Sequence, residues 1–282
     1  MLLSALLAAA SAAPPAPVAF WSFQEPAGAP RVSGGHGARY AYALLDGNAS
    51  WPVERAAGGV FGAFSARFPA SGGNESQRLF AARADAPALT EAIAGPGATV
   101  SLVAWVRRAA GDFTDGGNFV AGVWDEHTAA RQYALFLQLS VCSGAPGYDG
   151  GVVAHISPVG GPTPGSRYCE TAACDTPPLA ADAWHCVATV YNGTHILAFT
   201  NATMHAAGAR NPFPLLGGIF SPEAAQRPGA EFGVGANYIN ITVGSPPVLS
   251  NRFRGDLGGL AVFDAALAQP DLAAVCSWAS GF

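Results

Sequence analysis

The pattern of apolar and polar residues along the chain predicts strands rather than helices. Short runs in which the two alternate are separated by clusters of Gly, Pro, Asn, Asp and Ser, which is typical of a β-sandwich. We interpret ten runs as strands: residues 18–23, 65–68, 99–107, 118–124, 132–141, 151–157, 184–191, 194–201, 231–235 and 255–263. Residues 268–275 predict the only convincing helix, because Pro270 suits a first helical turn and Asp271 complements its positive end.

Alternation within the two most regular runs assigns side chains to faces, since successive residues of a strand point to opposite sides. The sets that we expect between the two sheets are Val100, Leu102, Ala104 and Val106, and Tyr133, Leu135, Leu137, Leu139 and Val141. The opposite faces carry Trp105, Phe136 and Gln138. Because a sandwich needs only one buried face per sheet, the faces that carry these three residues are candidates for an exposed concave surface.

The N-terminal residues predict export. Residues 1–12 form a short apolar run that ends in Ala10-Ser11-Ala12, and small residues there suit signal peptidase. We expect a signal peptide at 1–12, a Pro-rich spacer at 13–17 and one domain at 18–282, since all-β sandwiches of this length occur undivided. The run is shorter than the roughly 20 residues that cross a bilayer. No later segment is long and apolar enough, so we expect a secreted, extracellular protein.

Glycosylation signals and charge agree with an extracellular role. Five Asn-x-Ser/Thr tripeptides begin at Asn48, Asn74, Asn192, Asn201 and Asn240. We expect at least two of them to carry glycans in a eukaryotic host. The net charge is −5, every basic residue is Arg and no basic stripe is present, so we expect no nucleic-acid partner.

Cysteine usage predicts disulfides without deciding their pairing. The five cysteines are Cys142, Cys169, Cys174, Cys186 and Cys276. In an exported chain we expect bridges, and the odd number leaves one thiol free or paired with another chain. Our prediction is Cys142–Cys169, which ties two neighbouring strands, and Cys169–Cys174 is a local alternative. None of the Cys and His spacings suits zinc.

Four segments of the chain resemble the laminin-G-like jelly roll of the concanavalin A-like lectin/glucanase superfamily. They are Ala-Thr-Val-Ser-Leu-Val-Ala-Trp-Val at 98–106, the predicted hairpin at 118–137, the Trp-x-x-Val-Ala hairpin at 184–201 and Phe-x-Gly-x-Leu-x-x-Leu-x-Val-Phe at 253–263. The resemblance extends over residues 18–275. It implies two antiparallel sheets in a jelly-roll sandwich with one short C-terminal helical turn. Asn192-Gly193 also predicts a two-residue hairpin turn on physical grounds.

The resemblance leaves metal binding open. Many relatives carry an acidic pair where this chain has Gly258-Gly259 and a glycine where it has Ala202, so roles tied to those acids do not transfer. Some relatives bind calcium through side-chain and main-chain oxygens, which makes a calcium ion a candidate cofactor. The loop oxygens that we would assign to it belong to Asp46, Asp112, Asp115, Asn118 and Asp256.

The first functional hypothesis is a non-enzymatic, lectin-like domain whose partner is a carbohydrate or a glycosylated extracellular protein. Sugars present apolar faces to aromatic rings and hydroxyl groups to polar side chains, and ligand sites combine both. The candidate ligand-binding residues are Trp124, Asp125, Glu126, His127, Tyr148, Asp149, Arg107, Gln138 and His155. Trp105 and Trp184 match tryptophans of the fold pattern, and we interpret them as packing residues.

Two other hypotheses remain. A glycoside hydrolase or polysaccharide lyase of the same superfold is one, but retaining hydrolysis needs two carboxyl groups about 5 Å apart. Asp125 and Glu126 are consecutive, so on a strand they point to opposite faces, and we expect no catalysis.

The third hypothesis is a protein-interaction or adhesion domain. Glycosylation sites that crowd the concave face would argue against a ligand groove there.

Overall fold

A computed structural model describes residues 13–69, 77–110, 117–139, 151–166, 168–175, 178–204, 211–213, 215–239 and 246–279. Within these residues nearly all of the regular secondary structure is β-strand, and two large antiparallel sheets lie on either side of one apolar core. The predicted all-β, two-sheet sandwich is therefore confirmed. None of the helices in these ranges is long and apolar enough to cross a membrane.

In chain order, the strands are β1 Ala19–Trp21, β2 Arg31–Val32, β3 Ala43–Asp46, β4 Glu54–Ala57, β5 Phe64–Phe68, β6 Leu79–Ala81, β7 Val100–Arg108, β8 Asn118–Val123, β9 Tyr133–Leu137, β10 Val152–Ile156, β11 Ala172–Cys174, β12 Trp184–Tyr191, β13 Ile196–Thr200, β14 Phe232–Val234, β15 Asn237–Tyr238, β16 Leu249–Ser250 and β17 Gly255–Phe263. The helices are α1 Pro87–Thr90 and α2 Gln269–Cys276, and a 3-10 turn covers Arg83–Asp85.

The described strands form two large sheets and one small ribbon. Sheet I has the order β13-β12-β7-β17-β5-β4, and β1 pairs with β17. Sheet II has the order β11-β10-β9-β8-β14-β6-β3-β2, and β15 pairs with β16 in a separate ribbon. Strands distant in sequence therefore lie side by side, which brings residues from both halves of the chain onto one face.

The inner faces of the two sheets form the core as the alternation predicted. Val100, Leu102, Ala104 and Val106 of β7 and Tyr133, Leu135 and Leu137 of β9 are fully buried in one apolar cluster. Leu139 departs from the prediction, because Gln138 has a left-handed backbone (φ 49°) and ends the regular strand. Leu139 packs instead against the apolar cluster on the outer face of sheet II. Val141 lies outside the described residues.

The outer face of sheet I is covered, so Trp105 does not belong to an exposed surface and is a packing residue, as its match to the fold pattern indicated. Trp105 is fully buried, and its Nε1 donates to the carbonyl of Cys276 at the end of α2. Leu272 and Val275 of α2 belong to the same apolar cluster. The helix begins with Pro270 in its first turn, as predicted, and its apolar side packs on the sheet.

The disulfides differ from the predicted pairing. Cys186 of β12 is bonded to Cys276 of α2, which ties the helix to the outer face of sheet I. Cys169 is a free, buried thiol, so both Cys142–Cys169 and Cys169–Cys174 are wrong. Cys174 is also disulfide-bonded, and Cys142 lies outside the described residues. Sequence distance misled the prediction, because α2 crosses β12 only in the folded chain.

The β12–β13 hairpin turns one residue later than Asn192-Gly193 predicts. Tyr191 pairs with Ile196, and the Asn192 N–H donates to the carbonyl of His195. The turn is therefore centred on Gly193 and the residue after it, with Gly193 in the left-handed region (φ 92°). The side chain of Asn192 accepts the N–H of His195 and holds the turn closed.

Candidate functional site

The outer face of sheet II carries most of the polar and aromatic residues singled out from the sequence. A row of directly paired residues crosses this face from β3 to β11. In order they are Leu45, Phe80, Gly233, Gly122, Ala134, His155 and Ala172. Neighbouring strands are about 4.8 Å apart, so Phe80 and His155 lie roughly 19 Å apart along the row. We call the half around Phe80 the Arg78 cluster and the half around His155 the Trp124 cluster.

The middle of the row is made of small residues, which lets aromatic rings lie close to the backbone. A Cβ atom on Gly233 would lie 3.5 Å from Cε1 of Phe119, an ordinary contact. Gly122 is different, because its φ is 150° and a Cβ there would lie 2.3 Å from the carbonyl oxygen of Tyr133. Only glycine fits at position 122 of β8, whereas position 233 tolerates a small side chain.

The Arg78 cluster comprises Arg78, Phe80, Glu231 and Tyr238. The Arg78 guanidinium lies over the ring of Tyr238, 4.6 Å from its centroid, and 5.1 Å from that of Phe80. Its Nη2 donates to the Tyr238 hydroxyl at 2.9 Å, and its Nη1 pairs with the Glu231 carboxylate. Arg78 is buried, while Phe80, Glu231 and Tyr238 are half-buried. The charges are balanced, and two rings and a carboxylate contact solvent.

The Trp124 cluster comprises Trp124, Glu126, Arg131, Phe136 and His155. The Trp124 ring lies 5.0 Å from the His155 ring and 6.0 Å from the Phe136 ring. Arg131 donates from Nη2 to Glu126 at 3.1 Å, and its guanidinium lies 5.9 Å from the Trp124 centroid. Trp124, Arg131, Phe136 and His155 are almost completely buried. The expectation that Phe136 is exposed is therefore wrong, and Glu126 is the member that reaches solvent, at 15% exposure.

A turn after β8 positions Glu126 between the two clusters. The Asp125 carboxylate accepts the N–H of Thr128, and the Asp125 carbonyl accepts that of Ala130, which closes the turn. The Glu126 N–H donates to the carbonyl of Tyr238 at 2.8 Å. This bond joins the turn to β15 and places Glu126 beside the Arg78 cluster. Asp125 thus shapes the turn, and His127 lies half-buried within it.

Burial sets the protonation state of His155. Loss of hydration, with a smaller effect of the Arg131 charge, lowers the pKa of His155 to about 3. The imidazole is therefore neutral at physiological pH. Burial also raises the pKa of Tyr133, whose hydroxyl donates to the carbonyl of Leu89 in the core.

The remaining candidate ligand residues are not brought together with these clusters. Arg107 lies on β7 of sheet I, where it donates to Asp256 and stacks over Trp184 at 4.9 Å. Gln138 follows β9, and its N–H donates to the carbonyl of Gly151. Tyr148 and Asp149 lie outside the described residues.

The candidate calcium ligands are spread over different elements. Asp46 of β3 accepts from Arg31 at 2.7 Å and from the Val53 N–H at 2.7 Å. Asp256 of β17 accepts from Arg67 and Arg107, and Asn118 is buried at the start of β8. Asp112 and Asp115 lie outside the described residues. In the described part of the chain, no three His, Cys, Asp or Glu side chains are grouped to hold a metal ion.

Sequence reasoning missed five members of the two clusters. Arg78, Glu231 and Tyr238 are distant in sequence, and only the pairing of β6 with β14 and the position of β15 bring them together. Arg131 could have been found, because it comes just before the predicted strand 132–141 and five residues after Glu126. Phe80 lies in a strand of only three residues, which is too short to show alternation.

Comparisons with known proteins identify the fold. No family model matches the chain, and no curated protein matches it. A solved mutant of the Trypanosoma rangeli sialidase that displays trans-sialidase activity is 14% identical, with 96% of this chain and 34% of that chain covered and a TM-score of 0.51. A structure described as HCR/D-Sa-GBL1/C is 11% identical, with 93% and 52% covered and a TM-score of 0.53.

A third match is domain 4 of AbnA, a GH43 extracellular arabinanase from Geobacillus stearothermophilus, in complex with arabinotriose. It is 15% identical over 81% of each chain, with a TM-score of 0.44. The chain spans about half of the HCR/D-Sa-GBL1/C structure and one third of the sialidase mutant. At such identities the likeness concerns the fold alone. The chain has a two-sheet antiparallel sandwich of the jelly-roll type, and a fold of this kind does not define a function.

Proposed function

We propose that this chain is a secreted, non-enzymatic, lectin-like domain of the laminin-G-like type that binds carbohydrate at the Arg78 cluster. The observation that carries the proposal is the half-exposed pair of rings, Phe80 and Tyr238, around a balanced Arg78–Glu231 ion pair. A sugar needs an apolar surface for its C–H face and fixed polar groups for its hydroxyls. The fold is shared with a sialidase, so a carbohydrate ligand agrees with the architecture.

The positions of two of the three described glycosylation signals support a ligand on this face. Asn192 and Asn201 are exposed and adjoin β12 and β13 of sheet I, on the other side of the sandwich. Asn48 follows β3 near the edge of sheet II. None of these three lies on β6, β14, β8, β9 or β10. Glycans at Asn192 and Asn201 would leave the Arg78 cluster accessible, whereas a glycan at Asn48 would lie beside it, because the preceding Gly47 donates its N–H to the carbonyl of Arg78.

The state of the two carboxylates favours binding over catalysis. Glu126 and Glu231 are the acids of the two clusters, and each accepts a hydrogen bond from an arginine, Arg131 and Arg78 respectively. A glycosidase needs one carboxyl group that delivers a proton and a second that acts as nucleophile or base. Two arginine-bound carboxylates suit the orientation of hydroxyl groups better than proton transfer.

The test is a glycan-array scan of the folded chain, run with calcium and again with a chelator. We expect saturable binding to a defined glycan, and we expect Phe80→Ala to weaken it at least about tenfold. Tyr40→Ala is the matched control, because Tyr40 is an exposed ring (45%) outside both clusters. Loss of binding in chelator would place calcium at the site. Equal binding by Phe80→Ala and the wild type would contradict the location.

Protein interaction is the second candidate, and one observation favours it. Val32 of β2 and Leu45 of β3 are 48% and 41% exposed at the edge of sheet II, beside Phe80. Exposed apolar residues at a sheet edge are typical of surfaces that meet another protein. Two results together would favour this function. The chain would bind no glycan on the array, and a pull-down would capture a partner protein with the wild type but not with Leu45→Asp.

A further inference from the structure

The Trp124 cluster contains four buried polar atoms that have no hydrogen-bond partner among the described residues. They are Nε and Nη1 of Arg131 and both ring nitrogens of His155. The two residues are 1% and 2% exposed. A buried polar atom without a partner costs about 1–3 kcal/mol, and such atoms are rare in native proteins. A ligand with hydroxyl, carbonyl or amide groups would satisfy these four atoms.

The unpartnered atoms belong to one location. The Arg131 guanidinium and the His155 ring both lie beside Trp124, at 5.9 Å and 5.0 Å from its ring centroid. The Arg131 charge also acts on His155. The neighbouring residue Gln132 donates from its Nε2 to the carbonyl of Phe220, but its Oε1 is also buried without a partner among the described residues. The unpartnered atoms therefore belong to the adjoining residues Arg131 and Gln132 and to His155.

The net charge of the Trp124 cluster decides which chemical group would suit hydrogen bonding to Arg131 and His155. Arg131 is balanced by Glu126, and the buried imidazole is neutral, so the cluster carries no net charge. A carboxylate or sulfate would add a buried negative charge without a counter-charge, which is costly. A hydroxyl group adds none, accepts from Arg131, and can donate to or accept from a neutral imidazole.

We propose that Arg131 and His155 form a subsite for hydroxyl groups of a sugar, so that this face binds neutral rather than acidic glycans. The proposal rests on the carbohydrate-binding function proposed above and names its ligand class. Glu126, the solvent-contacting member, lies between this subsite and the Arg78 cluster. A chain of neutral sugars that contacts Phe80 would extend along the row toward His155.

The experiment is isothermal titration of the whole folded chain with defined hexasaccharides. The neutral probes are cellohexaose, xylohexaose, mannohexaose and arabinohexaose, and the acidic probes are hexagalacturonate and hexaguluronate. We expect binding to at least one neutral probe, weaker or no binding to both acidic ones, and a Kd that is unchanged between pH 5.5 and 8.

Variants of His155 test the subsite itself. His155→Phe should weaken the binding of the neutral hexasaccharide at least about tenfold. It should not lower the urea midpoint of unfolding, because it removes unpaired polar atoms from the interior. His155→Gln keeps an uncharged donor and acceptor and should retain the affinity within about threefold. His185→Phe is the matched control on β12 of sheet I and should bind as the wild type does.

Each outcome separates the two proposals. Tighter binding of an acidic probe, or unchanged affinity in His155→Phe, would overturn the subsite while leaving carbohydrate binding intact. A tenfold loss in His155→Gln would also contradict it. If no hexasaccharide binds, the proposed function fails and the subsite fails with it.

Discussion

The hydroxyl of Tyr238 accepts a hydrogen bond from Arg78 at 2.9 Å, while the guanidinium of Arg78 lies over the Tyr238 ring at 4.6 Å. Arg78 immediately precedes β6 and Tyr238 belongs to β15, 160 residues later. The bond therefore holds a ring that reaches solvent in a defined orientation over a buried charge. It is the contact on which the geometry of the Arg78 cluster depends most directly.

Removing this hydroxyl should weaken glycan binding without unfolding the chain. In Tyr238→Phe the ring remains, but Arg78 loses one acceptor and the ring loses its orientation. We expect a three- to tenfold weaker affinity for the bound glycan, which corresponds to about 1 kcal/mol. Titration of the purified variant measures it, with Tyr40→Phe as the matched control. An affinity equal to that of the wild type would show that the ring orientation has no role.

The Asp256 carboxylate should be important for stability rather than for binding. It accepts from both Arg67 and Arg107 and is 6% exposed, so Asp256→Asn leaves two guanidinium groups without their anion. Because Arg67 and Arg107 are partly solvated, at 46% and 25% exposure, we expect a loss of about 2 kcal/mol in the free energy of unfolding.

Urea denaturation of Asp256→Asn checks that value. The control is Asp264→Asn, which removes the exposed Arg39–Asp264 pair (41% and 44% exposed) and should change the free energy of unfolding by less than about 0.5 kcal/mol. Equal effects in the two variants would mean that the shared carboxylate is not a stabilising centre. Loss of glycan binding in Asp256→Asn, with stability kept, would move the ligand site to sheet I.

The Cys186–Cys276 bridge should stabilise the docking of α2. The bridge spans 90 residues, and closing a loop of this size in the unfolded chain contributes about 4.5 kcal/mol. We expect the double variant Cys186→Ala, Cys276→Ala to lose about that much in chemical denaturation. Cys169→Ala, which removes the free thiol, should lose about 1 kcal/mol or less. Peptide mapping that found Cys169 in a bridge would contradict the pairing.

His155 should make stability depend on pH in mild acid. Its pKa in the folded chain is lowered from 6.5 to about 3. Between these values the unfolded chain therefore binds a proton that the folded chain does not. Stability is thus full above pH 6.5 and falls as the pH drops toward 3, by roughly 1 kcal/mol per pH unit.

The measurement is the difference in unfolding free energy between wild type and His155→Phe at pH 7, 6 and 5. We expect the wild type to lose more stability than the variant over this range, since Phe does not titrate. Parallel curves would show that His155 is protonated as readily in the folded chain as in the unfolded one.

The predictability of the strands depended on their length. The central strands β7, β12 and β17 have eight or nine residues, which is enough for alternation to locate them within about a residue. The strands β2, β3, β4, β6, β11, β15 and β16 were not predicted, and each has two to four residues. Such short segments carry no detectable period, and they form because longer neighbours offer them a paired edge.

The candidate site was predicted only where its members are close in sequence. Trp124 and Glu126 were found because an aromatic residue and a carboxylate adjoin the end of a predicted strand. The burial of Phe136 was not predicted, since alternation says which side a residue points to and does not say what covers that side. The Cys186–Cys276 pairing was missed for the same reason.

The sequence by itself determined the class of the fold and the composition of its core, because alternation and turn residues act over a few positions and are visible locally. Only the tertiary structure decided which outer surfaces are covered, which cysteines meet, and that Arg78, Glu231 and Tyr238 surround Phe80. These outcomes depend on the order in which strands pair across the whole chain. That order is set by the collective burial of apolar faces, which no local pattern records.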